Sequence, residues 1–184
     1  MMTREGAYEL TREQRRRCFP PIKAEGTVTG RFPPLVNPVH RKGYVIGRLG
    51  NDTIPHVATT LRTLLGVDWT IFDDWHAAHP KADDEWRQYE ISRGRSYSEA
   101  LRAPAAQNVF QFDLGHLKSS THALLVLPAG RSGHMELAWM AGQGKRTAIL
   151  LDADYDRWDV MYAFADLVTH DIKNVIADWR NDAV

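Results

Sequence analysis

The chain has a single cysteine, Cys18. That excludes an intrachain disulfide framework and fits a reducing compartment. It has no charge excess either: 23 Lys and Arg balance 23 Asp and Glu. Nothing global therefore points to a nucleic-acid polymer or an acidic membrane surface. No apolar run approaches the roughly 20 residues that cross a bilayer. The opening Met1-Met2-Thr3-Arg4-Glu5-Gly6 lacks the apolar core of a signal peptide. These absences lead to the expectation of a soluble, cytoplasmic protein. Two nucleotide and acyl-transfer motifs are also missing. No Gly-x-x-x-x-Gly-Lys phosphate loop is present. A Gly-x-Ser-x-Gly elbow fails because His134 stands where its second glycine belongs.

What is present is an ordinary globular composition, 43% apolar over 184 residues, enough for one sizeable core. Two regions are expected. Residues 1–42 read as a helix stub over Leu10–Arg17 and an extended arm broken by Pro20-Pro21, Pro33-Pro34 and Pro38. Residues 43–184 read as an α/β domain. Short apolar strands at Tyr44–Gly47, Asp68–Phe72, Ala123–Leu127, Thr147–Leu151 and Leu167–Thr169 alternate with helical spacings. That alternation implies right-handed crossovers and a doubly wound, mostly parallel sheet of about five strands, flavodoxin- or Rossmann-like. Ser96–Glu99 has the form of a capping box, opening a helix that Pro104 should bend or restart. Trp86, Trp139, Trp158 and Trp179 read as core or interface aromatics.

In such sheets ligands bind beyond the carboxyl ends of the strands. The densest of those ends is Leu127-Pro128-Ala129-Gly130-Arg131-Ser132-Gly133-His134-Met135-Glu136. An apolar strand stops at a Pro/Gly turn, passes Arg131-Ser132, and enters a helix over Met135–Ala141 with Glu136 in its expected first turn. Backbone N–H groups at such a helix start favour anions. Gly130, Arg131 and Ser132 could therefore hold one phosphate, or form an ordinary turn with a solvated arginine. Asp113 is an acid inside the apolar pattern Phe110–Leu117, just before the same strand. Two carboxylates flanking one strand can divide glycosidic labour between them. The plain alternative is a helix-surface Asp and a Glu that complements the helix dipole. Asp73-Asp74-Trp75-His76-Ala77-Ala78-His79 does not match the His-Glu-x-x-His zinc motif. It reads instead as a loop closing over a substrate, with Trp75 stacking on a base, or as a charged surface loop. No metal and no cofactor is expected.

Three segments together resemble the nucleoside 2-deoxyribosyltransferase-like superfamily. They are the Tyr44-Val45-Ile46-Gly47 strand, the Asp113-Leu114-x-x-Leu117 helix, and Gly133-His134-Met135-Glu136-Leu137-Ala138. That superfamily includes the deoxyribosyltransferases, the 2'-deoxynucleoside 5'-phosphate N-hydrolases and related cytidine-monophosphate hydrolases. The resemblance implies that Glu136 attacks C1' of a nucleoside or its 5'-monophosphate, leaving a glycosyl ester that water or a second base resolves. It implies that Asp113 holds the sugar and assists the leaving base, and that Tyr44 orients the carboxylate. Gly47, Arg48, Asp74, Trp75, Gly130, Arg131, Ser132, Gly133 and His134 would contact substrate. The transferases carry a further carboxylate against the sugar 5'-hydroxyl; Gly130 stands at that position here, and Gly130-Arg131-Ser132 would instead welcome a 5'-phosphate. The resemblance also implies a homo-oligomer, with the arm, Trp158 and Trp179 as candidate contacts. A silent nucleotide-binding sensor and an NAD-cleaving hydrolase are the alternative functions.

Overall fold

Strand β1 runs Arg41–Ile46, two residues earlier than the alternation beginning at Gly43 suggests. Successive strand side chains point to opposite faces, and here each parity meets a different apolar layer. Val45, Leu124, Val126, Ala148 and Leu150 face one layer; Tyr44, Ile46, Ala123, Leu125 and Ile149 face the other. The structure is a computed structural model that describes residues 40–78, 80–152 and 158–182. All of these belong to one compact unit, Asn37–Val184. The expected helix stub, most of the proline-rich arm, Cys18 and His79 lie outside the described residues.

The sheet also contains β2 (Trp69–Phe72), β3 (His122–Val126), β4 (Arg146–Leu150) and β5 (Leu167–Thr169). Its order is β2-β1-β3-β4-β5, and every pairing is parallel. This is the doubly wound α/β fold expected from the sequence, with the strand order reversing between β1 and β3. A crevice opens at the carboxyl ends of strands where that reversal occurs.

Helix α1 (Ile54–Leu65) begins with Pro55 in its first turn, where a missing N–H costs nothing. It buries Ile54, Val57, Ala58, Leu61 and Leu65 against the first layer. The terminal α6 (Ile172–Asn181) packs on the same layer through Val175, Ile176 and Trp179. Trp179 is fully buried and stacks on Trp69, with ring centroids 5.3 Å apart. It is therefore a core residue of this unit, which corrects its reading as an oligomer contact. Trp158, by contrast, is 97% exposed.

The other face carries α4 (Pro104–Ser119) and α5 (Arg131–Gly142). The capping box at Ser96 closes only the short α3 (Tyr97–Ala100), following α2 (Ala82–Ser92); Pro104 then starts α4 afresh. Helix α5 starts four residues before the expected Met135, so Arg131 and Ser132 form its first turn rather than a loop. Glu136 consequently lies in the second turn. The expectation of a first-turn carboxylate is corrected: the first turn holds no acid.

Gly43 sits where β1 passes beneath Trp179. A Cβ there would lie 2.5 Å from Trp179 Cζ3 and 3.1 Å from Ile71 Cδ1. Gly50 has open space around it. We predict that Gly43→Ala lowers unfolding free energy by about 1–3 kcal/mol, the usual cost of overpacking. Gly50→Ala should leave the urea midpoint within experimental scatter.

Candidate functional site

Tyr44 points from β1 toward α4 and α5 and is only 1% exposed. Asp113 comes from α4, and one of its carboxylate oxygens is sealed from solvent with no hydrogen-bond partner. Glu136 comes from α5. Burial pushes the Asp113 carboxyl up to about 6. Burial, and then the charge of Asp113, push Glu136 up to about 7. The Tyr44 hydroxyl is raised by burial first, then by Glu136 and Asp113. The three groups thus lie within electrostatic reach of one another, on one face of the sheet. No hydrogen bond joins Tyr44 to either acid.

Helix α4 buries only Leu117 completely, so packing alone is a weak anchor for Asp113. Cations hold its carboxyl-terminal half instead. Lys145 Nζ donates to the carbonyls of Leu117, Lys118 and Ser120, each at 2.7 Å. These are the carbonyls a helix end leaves unpaired. Lys42 Nζ donates to Ser119 Oγ at 2.7 Å and to His116 Nδ1 at 3.1 Å. Desolvation lowers the pKa of both lysines. Asp74 belongs to this group: its charge opposes the lowering at Lys42 and at His116. Its place is beside the cations that steady α4.

Helix α5 reaches the strand-order reversal through Gly133. A Cβ at that position would lie 3.1 Å from Ile46 Cγ2, 3.2 Å from Leu125 Cδ1 and 3.4 Å from the Gly47 carbonyl oxygen. Gly47 in turn accommodates Ile54, whose Cδ1 would be 2.4 Å from an added Cβ. Both glycines allow close backbone approach at the crevice. Asn51, which sequence reasoning did not single out, ties its two loops together. Its buried amide donates to Val126 O at 3.4 Å and Pro128 O at 3.2 Å, and its side-chain oxygen accepts from Thr53 N–H and Oγ1–H. The only sequence signal was a small amide beside Gly50 at a strand end.

Other expected contacts are placed differently. The Trp75 indole N–H donates to Val45 O at 2.7 Å, and the ring packs against both apolar layers. It is anchored to β1 from the 3-10 turn Asp74–Ala77. His134 Nδ1 donates to Gly130 O at 2.8 Å, leaving Nε2 to accept from the Tyr162 hydroxyl at 2.9 Å. Both ring nitrogens are engaged within the protein. Arg48, Arg131 and Ser132 are exposed. A cavity of about 750 Å³ lies against α5 and the 3-10 turn Val160–Phe164; Gly130, Arg131 and His134 line it, but Asp113 and Glu136 do not.

No family model matches the sequence, and no curated protein does. Among solved structures the chain is similar to the CMP N-glycosidase BcmB of Clostridium botulinum, at 9% identity and a TM-score of 0.44, over 76% of this chain and 99% of that one. A likeness at that level carries no argument about chemistry. No described helix is long and apolar enough to cross a membrane.

The raised Glu136 value makes stability depend on pH in a defined direction. The folded chain holds a proton on Glu136 up to about pH 7, whereas an unfolded Glu releases it near pH 4.3. Between those values the folded state binds more protons, so stability falls as pH rises. Glu136→Gln removes this term. We predict that the variant gains on the native protein by up to about 3 kcal/mol between pH 4 and pH 8, read from urea unfolding at both pH values. An unchanged difference would place Glu136 in contact with solvent.

Proposed function

We propose that the protein cleaves the N-glycosidic bond of a nucleoside or, preferentially, its 5'-monophosphate, with Glu136 as nucleophile. The observation that carries this reading is the convergence of two half-buried carboxylates, Glu136 and Asp113, beside Tyr44 next to the strand-order reversal. Buried like charges at a crevice are costly to stability and are typical of sites that handle protons.

In this reading a Glu136 oxygen forms a bond to C1' while the C1'–N bond breaks. The electron pair stays with the base, which leaves after taking up a proton. Asp113, one of whose oxygens is sealed from solvent, holds the sugar and supplies or relays that proton. Water or a second base then attacks C1' of the glycosyl ester, releasing the Glu136 carboxylate and giving a proton to the site. The acid-free start of α5, with Arg131 and Ser132 exposed in its first turn, supports a phosphate at the 5' end of the substrate.

Free bases released from a panel of nucleosides and monophosphates, separated by chromatography, test this directly. Glu136→Gln should reduce release at least a thousandfold, because the bond-forming group is gone. In the native protein kcat/KM should rise with pH through about 7, since only the carboxylate form of Glu136 attacks. In Asp113→Asn that rise should move to lower pH, because the like charge is removed. Arg131→Glu should raise KM for monophosphates and leave unphosphorylated nucleosides little changed. Release that survives in Glu136→Gln would end the proposal.

A further inference from the structure

The cavity beside α5 begins at the residues that would hold a 5'-phosphate and extends well past them. Its wall follows the helix from Arg131 through His134 and Ala138 to Ala141, about 15 Å of helix. Its volume, about 750 Å³, is that of a small-ligand pocket, and a phosphate at Gly130 and Arg131 fills only one end. Glu136 lies about 7–8 Å along the helix axis from Arg131, a span that a sugar and its 5'-carbon can bridge. Gly130 leaves the helix start open between them: a Cβ there would meet only Ser132 Oγ, at 3.9 Å. A nucleotide with C1' at Glu136 and its phosphate at Arg131 would turn the outer phosphate oxygens toward the cavity.

The chemistry of the wall restricts what can follow that phosphate. Met135, Met161 and Phe164 are 73%, 57% and 66% exposed, and apolar side chains gathered in a concavity mark a binding surface. Among the described wall residues Arg131 is the only cation, and Asp152 and Asp159 are both acidic. His134 adds no charge: Nδ1 donates to Gly130 O and Nε2 accepts from the Tyr162 hydroxyl. A second or third phosphate would therefore meet two acids and no further cation among these residues. A phosphate monoester carries close to two negative charges at neutral pH. Esterified at a second oxygen it carries one, which the single guanidinium offsets.

We propose that the substrate is a nucleoside 5'-phosphate whose phosphate bears an uncharged, apolar ester group, and that this cavity holds that group. The inference rests on the glycosidic reading of Glu136 and Asp113 and names the substrate class of that same site. The ester takes no part in the bond changes at C1'. It supplies binding energy from a remote part of the substrate.

Binding and chemistry are measured separately. The full chain carrying Glu136→Gln is titrated calorimetrically with 5'-monophosphates of the common bases, their 5'-phenyl esters and their 5'-diphosphates. The phenyl esters should bind roughly tenfold or more tightly than the monophosphates, the worth of a partly buried aromatic ring. The diphosphates should bind no better than the monophosphates. Ala138 is exposed on the cavity wall, so Ala138→Trp, added to that variant, should fill the space, erase the ester's advantage and leave monophosphate affinity unchanged. That separates a filled cavity from a misfolded chain. In methyl NMR spectra the phenyl ester should shift Met161 relative to the monophosphate and leave Met140, which is fully buried, unmoved. In the native chain the esters should release base with the higher kcat/KM. Base release from monophosphates with no gain on esterification, tightest binding by diphosphates, or an ester advantage that survives Ala138→Trp would overturn this inference and leave the Glu136 chemistry standing. An ester preference abolished by Ala138→Trp, with no base released from any compound, would end the glycosidic reading and keep the ligand class. No binding of any compound would overturn both.

Discussion

Helix α5 can settle onto β1 and β3 because position 133 carries no side chain, and the geometry of the acid pair and of the cavity on this face depends on that seating. The Gly133 backbone lies against Ile46, Leu125 and the Gly47 carbonyl. Any larger residue would push the helix outward, or force neighbours in a close-packed layer to give way. The seat also fixes rotation. With Gly133, Leu137 and Met140 directed at the sheet, Glu136 turns toward α4, and His134 and Ala138 turn toward Val160–Phe164. One helix thus presents a carboxylate on one flank and an apolar wall on the other.

Helix α4 solves a different problem. It carries Asp113, yet it is mostly exposed, with Val109, Phe110 and Phe112 about half open to solvent. Its position is secured from its carboxyl end, where Lys145 spans three carbonyls and Lys42 bridges His116 and Ser119. Cations there complement the negative end of the helix dipole. Both lysines lose hydration to reach these partners, which is why their pKa values fall. The Asp113 end of the acid pair rests on these ionic contacts more than on apolar burial.

Much of this was legible in the chain. Parallel strands with crossovers are written in the alternation of short apolar runs and helical spacings, and each expected strand is present, four of them within one residue and β1 starting three residues early. Pro104 restarts a helix as its ring geometry requires. The start of α5 was misjudged because Arg131-Ser132-Gly133 has no strong helix former, and its tertiary seat overrides that weak propensity. The anchoring of Trp75 was not legible, because its indole N–H finds a strand carbonyl that only the fold brings near. Asn51 and Lys145 were invisible for a related reason. Each acts on loops or helix ends far away in sequence, and no local pattern encodes a contact of that kind.

The corrected start of α5 changes the electrostatics of the candidate nucleophile. Dipole stabilisation of an anion falls off within the first turn of a helix. A carboxylate in that turn would have been favoured as an anion, against the effect of burial. In the second turn Glu136 receives little of that help, and it faces both desolvation and the charge of Asp113. Its pKa therefore rises instead of falling. A carboxylate with a pKa near 7 is a stronger base than an ordinary one, and nucleophilic reactivity grows with basicity. The cost is that only part of the population is ionised at neutral pH. A phosphate at Arg131 would add a further negative charge near the site and raise Glu136 again, unless Arg131 and the α5 N–H groups neutralise it. An acid-free first turn headed by an arginine supplies that neutralisation, so the anion-binding end of α5 and the reactivity of Glu136 are parts of one electrostatic arrangement.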